Sequence, residues 1–365
     1  MNTQTIVLFI TGLVLLLIGA ELLVRGASRL ATTIGMSPLV VGLVVVSFCT
    51  TSPELAVSAS SALAGEADLA LGNVAGSTIF NILFIIGLSA MLAPLVVKLQ
   101  LIRLDVPIAL VAAVVVWLMS LNGGIDRLDG MLLFAGIVAY VIFLIVQARR
   151  EKDADALAQF DTEYGQPPAR DRRQLIVYLL LIVGGLAMLV IGSNWMVDGA
   201  VSLARLFGVD DVLIGLTIIA AGTSLPEIMT AVMATRRGER DIAVGNVVGS
   251  SIYNLLAVLG VTAIVAPDGV PVPPYVLRLG LPVMIGVIAL CIPMFYLGMN
   301  VSRKEGVMLF GFYIGITGFF ILSGINHPAA DVVGIVVAAV GVTVLAAFFV
   351  LAWSQRQATK QRLQT

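Results

Sequence analysis

The stretch SFCTTSPEL, residues 47–55, lies within an apolar run from Met36 to Leu63 and contains a single charged side chain, Glu54, directly after a proline. A second stretch, AAGTSLPEI at residues 220–228, aligns with it at an offset of 173 positions and places Glu227 opposite Glu54. Two carboxylates at matching places in two apolar segments indicate an internal repeat and a shared role for the two acids.

The composition is that of a chain surrounded by lipid, because 59% of the residues are hydrophobic and only 12% are charged. Apolar segments of about 20 residues are long enough to cross the hydrocarbon core of a bilayer as helices. The first such segment lacks a basic n-region and a small-residue cleavage site, so we interpret it as a retained span and not as a signal peptide. The sequence predicts an all-α polytopic membrane protein with eleven spans, at residues 5–24, 37–63, 69–95, 105–121, 128–147, 174–197, 212–234, 242–266, 279–299, 306–323 and 332–353.

The basic residues indicate how these spans are oriented, because cytoplasmic loops accumulate Lys and Arg. If the N-terminus is outside, eighteen of the twenty-one Lys and Arg residues fall in inside loops or in the C-terminal tail. The bias predicts an external N-terminus and a cytoplasmic C-terminus. Basic residues spread along one membrane face also argue against nucleic-acid binding.

The internal repeat extends beyond the two acidic stretches. At the same offset, LGNVAGSTIFNIL at residues 71–83 matches VGNVVGSSIYNLL at residues 244–256. Each repeat contains five spans, an odd number, so the second copy must enter the membrane from the opposite side. The sequence therefore predicts two inverted five-helix repeats and one extra C-terminal helix. The predicted units are a first repeat at 1–147, a cytoplasmic linker at 148–173, a second repeat at 174–325, and an extra transmembrane helix with a cytoplasmic tail at 326–365.

The chemistry of the two stretches indicates a cation site. Inverted repeats with interrupted helices near the membrane midplane are typical of secondary transporters. Pro53 and Pro226 each lack a backbone donor and collide with the carbonyl four residues back, so each is predicted to interrupt its helix. Thr50 and Thr223 precede the glutamates by four residues and so share a helix face with them. Carboxylate, hydroxyl, amide and carbonyl oxygens suit calcium and sodium, so the sequence alone predicts a hard-cation site.

Each of these residues also has a purely structural interpretation. A carboxylate at the bilayer centre costs about 2.5–3.5 kcal/mol on insertion scales, which favours ligand roles for Glu54 and Glu227 over helix caps or interhelical hydrogen bonds. The following helices add small polar residues at spacings of four, and such residues also hold membrane helices together. They are Asn73, Ser77 and Asn81 in the first repeat and Asn246, Ser250 and Asn254 in the second.

The paired segments 42–91 and 215–264 carry TTSPE and TSLPE, followed by GNVAGSTIFN and GNVVGSSIYN. They resemble the two alpha-repeats of sodium/calcium exchangers, within the cation/calcium antiporter superfamily, and are most similar to those of its compact prokaryotic members. The resemblance implies a calcium site made by the two glutamates with backbone oxygens near Thr50 and Thr223. It also implies flanking sodium sites that use Ser77, Ser250 and neighbouring hydroxyls.

The predicted ligand set is Glu54, Glu227, Thr50, Thr223, Ser77, Ser250, Asn81, Asn254, Thr51 and Ser224. Some relatives carry Asp at the position of Asn254, whereas this chain has amides at both repeats, which disfavours potassium dependence. The linker at 148–173 is too short for the calcium-sensing domains that animal exchangers insert there.

The implied activity is secondary active exchange of calcium for sodium by alternating access, in a prokaryotic plasma (inner) membrane. It requires no cofactor besides the transported ions and no obligate protein partner. A proton/calcium antiporter would use the same carboxylates and remains an alternative, and a cation channel fits the inverted symmetry less well. An intramembrane hydrolase is disfavoured because the single histidine, His327, lies in a loop, no HExxH is present, and the glutamates have no evident nucleophile beside them.

Overall fold

The computed structural model describes residues 3–65, 67–150, 172–206, 220–324 and 329–362, and these are almost entirely helical. Within these ranges ten helices are long and apolar enough to cross a membrane. They match ten of the eleven predicted spans, and the remaining one, predicted at 212–234, is described only from residue 220 onward. The ten spans are Ile6–Ile34, Pro38–Leu63, Ala70–Leu92, Leu101–Asn122, Arg127–Ala148, Arg173–Gly199, Arg240–Val265, Val276–Gly298, Arg303–Ser323 and Ala329–Phe348.

The helices are numbered in chain order. In the first half they are α1 Thr3–Ile34, α2 Pro38–Val41, α3 Ser47–Leu63, α4 Asp68–Ile79, α5 Ile86–Leu92, α6 Val106–Met119 and α7 Arg127–Arg150. In the second half they are α8 Arg172–Leu206, α9 Ala220–Thr223, α10 Leu225–Arg236, α11 Arg240–Tyr253, α12 Leu259–Val265, α13 Leu281–Gly298, α14 Arg303–Gly324 and α15 Ala329–Arg362. Most of the predicted linker lies outside the described residues.

Short π-helical segments interrupt several spans. They are π1 Gly42–Val46, π2 Phe80–Ile85, π3 Leu101–Asp105, π4 Asn254–Val258 and π5 Val276–Gly280. Two pairs fall at equivalent places in the halves, since π2 corresponds to π4 and π3 to π5. Segments of this kind are frequent at functional sites, and π2 and π4 contain Asn81 and Asn254.

Close backbone contacts recur in pairs between the halves. Gly12 packs on Gly192, and the positions one repeat away, Gly185 and Gly19, pack on each other. A Cβ atom at Gly12 or at Gly185 would lie 2.7 Å from the carbonyl oxygen of the opposite glycine. Small residues at such crossings let two membrane helices approach closely, so these glycines explain how α1 packs along α8.

Two short strand pairs also connect the two halves at equivalent places. β1, Leu95–Val96, pairs antiparallel with β4, Asn300–Val301, and β2, Gly124–Ile125, pairs antiparallel with β3, Val270–Pro271. Each pair joins a strand from one half to a strand from the other. The ends of the spans are therefore tied across the two halves.

The spans that carry GNVAGS and GNVVGS form the centre of the protein. In their most apolar stretches, 78% of the residues of Ala70–Leu92 and 83% of those of Arg240–Val265 are buried, compared with 28% for Ile6–Ile34. The helices that carry the acids, α3 and α10, pack against this central pair.

The predicted interruptions at the two prolines differ in outcome. Ser224 separates α9 from α10, and Pro226 lies in the first turn of α10, where its missing N–H carries no penalty, so that interruption is confirmed. The prediction for Pro53 is wrong, because α3 runs through it from Ser47 to Leu63. In that half the irregularity lies earlier, at π1.

Candidate cation site

The site is built where α3 and α10 meet in the interior. Glu54, on α3, and Glu227, in the first turn of α10, are each 1% exposed. Around them, α3 packs against α11 and π4, while α10 packs against α11 and π2. Each acid-bearing helix therefore contacts a π-helix of the opposite half, which places both carboxylates among polar residues of both halves.

The two carboxylates contact each other's helices. The Ser224 hydroxyl, at the break before α10, donates to Glu54 Oε1 at 3.4 Å. Glu227 interacts electrostatically with Glu54, and the hydroxyls of Thr50 and Thr51 approach it. Thr51 and Ser224 occupy equivalent positions in the two halves, each directly after the threonine of its stretch, so each carboxylate contacts the equivalent hydroxyl of the other half.

Thr50 links α3 to α11. Its hydroxyl donates to Asn246 Oδ1 at 3.0 Å and lies 3.4 Å from the Ser250 hydroxyl. Ser47, one turn earlier, donates to the Asn246 carbonyl at 3.0 Å. These bonds hold part of the predicted ligand set in place before any ion is considered.

Many polar atoms around the two acids have no hydrogen-bond partner within the described part of the chain. They are Glu54 Oε2, both carboxylate oxygens of Glu227, Thr51 Oγ1, Asn81 Oδ1, both amide atoms of Asn254, Asn246 Nδ2 and Thr230 Oγ1. A buried polar group without a partner costs about 1–3 kcal/mol, and more if it is charged. Such a concentration of unsatisfied oxygens in one region calls for an explanation, and a bound cation supplies one.

The structure brings most of the predicted residues into this region. Glu54, Glu227, Thr50, Thr51, Ser224 and Ser250 are connected by the contacts described above, and all six are buried. Asn81 and Asn254 are buried on π2 and π4, which pack against the acid-bearing helices. Ser77 is buried and points its hydroxyl to Asn73 Oδ1 at 3.5 Å. Thr223 is half-buried at the end of α9.

Two residues of the region were missed as ligand candidates. Thr230 lies three residues after Glu227 on α10 and is fully buried, but its counterpart in the first repeat is Val57, so the repeat gave no signal for it. Ser47 likewise aligns with Ala220. Comparison of the repeats detects symmetric residues and overlooks those present in one half alone.

The side chains around the two acids favour a hard cation, because their donor atoms are oxygens. No group of three or more His, Cys, Asp or Glu residues clusters anywhere in the described ranges. The site instead combines two carboxylates with neutral hydroxyl and amide oxygens, which are ligands typical of calcium. Sulfur and imidazole, which transition metals prefer, do not contribute.

Comparison with known proteins identifies the family. The sequence matches the profile described as sodium/calcium exchanger protein over residues 4–147 and 177–322. The chain belongs to the sodium/calcium exchanger family. It is a membrane-embedded cation/calcium antiporter of the compact prokaryotic type, and not an enzyme.

Individual relatives of this exchanger-family protein align over most of their length. The sodium/calcium exchanger MaX1 of Methanosarcina acetivorans is 30% identical over 343 residues, which covers 86% of this chain and 97% of the relative. The inner membrane protein YrbG of Escherichia coli is 37% identical over 262 residues, covering 71% of this chain and 79% of YrbG. A solved structure of the sodium-calcium exchanger NCX_Mj, soaked with sodium and calcium, superposes with a TM-score of 0.73 at 26% identity, covering 86% of this chain and 97% of that one.

The antiporter is asymmetric around its site. In the first half Gly72 and Gly76 are exposed, whereas their counterparts Gly245 and Gly249 are buried against π1 and α3. Asn73 is half-buried, and its counterpart Asn246 is fully buried. The two halves therefore share a sequence pattern but differ in packing on the two sides of the carboxylates.

Proposed function

We propose that this protein exchanges calcium for sodium by alternating access, with Glu54 and Glu227 as ligands that both ions share. One observation carries the proposal. Two buried carboxylates from different halves of the chain lie close enough to interact, and they are surrounded by hard oxygen atoms without hydrogen-bond partners. Two adjacent negative charges in a membrane interior repel each other, and a divalent cation between them removes that repulsion.

The charge of the site fits calcium. Glu54 and Glu227 together offset both charges of the ion, while the buried hydroxyls and amides replace part of its water shell. Asn81 and Asn254 are neutral amides and add no charge, so the described site contains two acidic groups. The remaining ligand candidates, Thr50, Thr223, Thr51, Ser224, Ser77 and Ser250, supply the neutral oxygens for sodium when calcium has left.

The fold supports a transporter built from inverted repeats. The paired glycine crossings and the paired strand ladders are what a two-fold axis relating the halves would produce, and the odd number of spans in each predicted repeat favours an axis in the membrane plane. We assign the repeats to residues 1–147 and 174–325, and the extra helix and tail to 326–365. The charge bias favours an external N-terminus and a cytoplasmic C-terminus, and the likeness to YrbG, named as an inner membrane protein, favours that membrane.

The names of the relatives favour sodium as the coupled ion. MaX1 is named a sodium/calcium exchanger, and two of the NCX_Mj structures were obtained with sodium together with calcium or strontium. A proton could bind the same carboxylates, and a proton/calcium antiporter is therefore the competing function.

The test is calcium uptake into vesicles that contain the purified protein, driven either by a sodium gradient or by a pH gradient of equal driving force. We expect an outward sodium gradient to drive uptake at constant pH. Uptake driven by the pH gradient alone, with no response to sodium, would replace sodium by protons as the coupled ion. Uptake that dissipates any calcium gradient without either coupling ion would indicate a channel and refute exchange.

A further inference from the structure

A second buried carboxyl group lies outside the cation site. Asp105 is the last residue of π3 and is fully buried, although it lies only four residues from the start of its membrane span. At about 1.5 Å per residue, this places it roughly 6 Å from that end of the span. Its counterpart in the second half is Gly280, so Asp105 does not belong to the symmetric ligand pattern.

The carboxyl group has one well-formed hydrogen bond. Tyr140, on α7, donates its hydroxyl to Asp105 Oδ1 at 2.9 Å, and Tyr140 is itself 5% exposed. The other oxygen, Oδ2, is buried and has no hydrogen-bond partner among the residues that the structure describes. The counterpart of Tyr140 is Ile316, so both members of the pair are specific to the first half.

No positive charge in the described residues compensates Asp105. It forms no ion pair with the Lys and Arg residues described. Arg103, on the same π-helix, is exposed, and Lys98, in the preceding loop, pairs with Asp241 of α11 at 2.7 Å. A buried carboxylate without a counter-charge carries a large desolvation penalty, which a proton removes.

The other elements packed around π3 offer few groups that could titrate. On α11 they are Arg240 and Asp241 at its start and Tyr253, which interacts with Tyr140 and donates to the Val44 carbonyl at 3.2 Å. On α13 they are Cys291, which is buried and donates to the Val287 carbonyl, and Tyr296, which is exposed. Helix α6 contributes none. Apart from Arg240, which forms no ion pair with Asp105, none of these groups carries a positive charge that could neutralise a carboxylate.

The surroundings also fit a proton better than a metal ion. Besides Tyr140, the side chain that approaches the carboxyl group is that of Gln100, whose Nε2 has no partner. One hydroxyl and one amide are too few oxygens for sodium or calcium, which take about six or more. Gln100 is half-buried at the membrane boundary, at the end of the loop at 93–100 that is nearest to Asp105 in the sequence.

We propose that Asp105 and Tyr140 form a proton-binding site, separate from the cation site, that is filled from the side of the loop at 93–100. In the topology proposed above this side is the cytoplasm. The neutral acid lets π3 and α7 pack in the membrane. Loss of the proton leaves a negative charge on Asp105. The charged side chain must then either move out of the membrane interior or weaken the packing of π3 against α7. Alkaline cytoplasmic pH therefore inhibits the protein.

Infrared spectroscopy of the full-length protein at neutral pH tests the site without reference to the transported ions. The difference between parent and Asp105→Asn should contain the C=O stretching band of a protonated carboxylic acid, and the exposed control Asp268→Asn should remove only carboxylate bands. If Asp105→Asn also removes only carboxylate bands, the acid is ionised and the proposal is overturned.

A second variant keeps the test decisive if Asp105→Asn does not fold. Tyr140→Phe removes the hydrogen bond to Oδ1, so the acid band should move to higher frequency. An unshifted band would overturn the assignment of this pair.

A transport assay tests the proposed inhibition. Asp105→Asn should retain calcium uptake at an alkaline cytoplasmic-side pH at which the parent has lost it. An identical alkaline limit in both proteins would overturn the proposed inhibition, whereas failure of sodium coupling would affect the proposed function alone.

Discussion

Gly76 and Gly249 occupy the same position in the two repeats but have opposite surroundings. A Cβ atom at Gly249 would lie 2.2 Å from Ser47 Oγ, 2.8 Å from the Leu43 carbonyl oxygen and 2.9 Å from Ser47 Cβ. At Gly76, which is exposed, an added Cβ would meet no atom of the described residues within 4 Å. We therefore expect Gly→Ala to act differently at the two sites.

The magnitudes follow from two opposing effects. Overpacking a well-packed interior typically costs about 1–3 kcal/mol. Replacing Gly by Ala inside a helix recovers about 0.5–1 kcal/mol. The Ser47 hydroxyl cannot simply rotate away, because it donates to the carbonyls of Gly42 and Asn246, and the Leu43 carbonyl belongs to the backbone. The net loss at Gly249 is about 0–2.5 kcal/mol, with a central value of about 1 kcal/mol, while Gly76→Ala gains about 0.5–1 kcal/mol.

Thermal unfolding of the two purified variants, together with initial rates of calcium uptake, measures both effects. Gly249→Ala should lower the unfolding temperature, and Gly76→Ala should leave it unchanged or raise it. If alternating access exchanges the packing of the two halves, Gly76→Ala should still slow transport, because its methyl group collides in the opposite state. Equal destabilisation by both substitutions would refute the packing argument, and normal transport by Gly76→Ala would refute the exchange of packing.

Two further predictions concern topology and the ion pairs that Glu21 of α1 forms with Arg25 and Arg237. The two native cysteines are buried, so they should not react with impermeant reagents. A cysteine introduced at the exposed Asp268 should react from outside only, and one introduced at the exposed Leu99 should react from inside only. Labelling of both from one side would contradict the inverted arrangement. Glu21 accepts hydrogen bonds from Arg25, at 2.8 Å, and from Arg237. Because partly exposed pairs contribute roughly 0–1 kcal/mol, Glu21→Gln should lower the unfolding temperature slightly and retain transport; loss of transport in folded Glu21→Gln protein would show that this contact takes part in the cycle.

The sequence predicted the membrane spans and the central acids because both depend on patterns that survive without a structure. Long apolar runs define helices in lipid. The repeat singled out Glu54 and Glu227, and the structure places both in one buried region. The ion pair between Glu21 and Arg25 also follows from local spacing, since the two residues are one helical turn apart.

The remaining features depend on contacts between distant residues. The hydrogen bond from Ser224 to Glu54 and the contact of Arg237 with Glu21 join different halves of the chain, and no local spacing reveals them. The effect of Pro53 was predicted wrongly because a proline raises the cost of a helix without deciding whether tertiary packing outweighs it. Asp105 was missed because its partner, Tyr140, lies on another span.

The central claim is that Glu54 and Glu227 bind the transported calcium. Glu→Gln at either position preserves shape and one oxygen acceptor but removes half of the charge that compensates a divalent ion. Glu305→Gln is the matched control, because Glu305 caps the start of α14 through Ser302 and a glutamine can do the same.

The decisive measurement is sodium-driven calcium uptake by vesicles that contain equal amounts of folded parent, Glu54→Gln, Glu227→Gln and Glu305→Gln protein. We predict that uptake vanishes in both site variants and persists in the control, and that sodium displaces calcium from the parent. If Glu54→Gln and Glu227→Gln both take up calcium like the parent, the two carboxylates are structural and the proposed exchange mechanism is wrong.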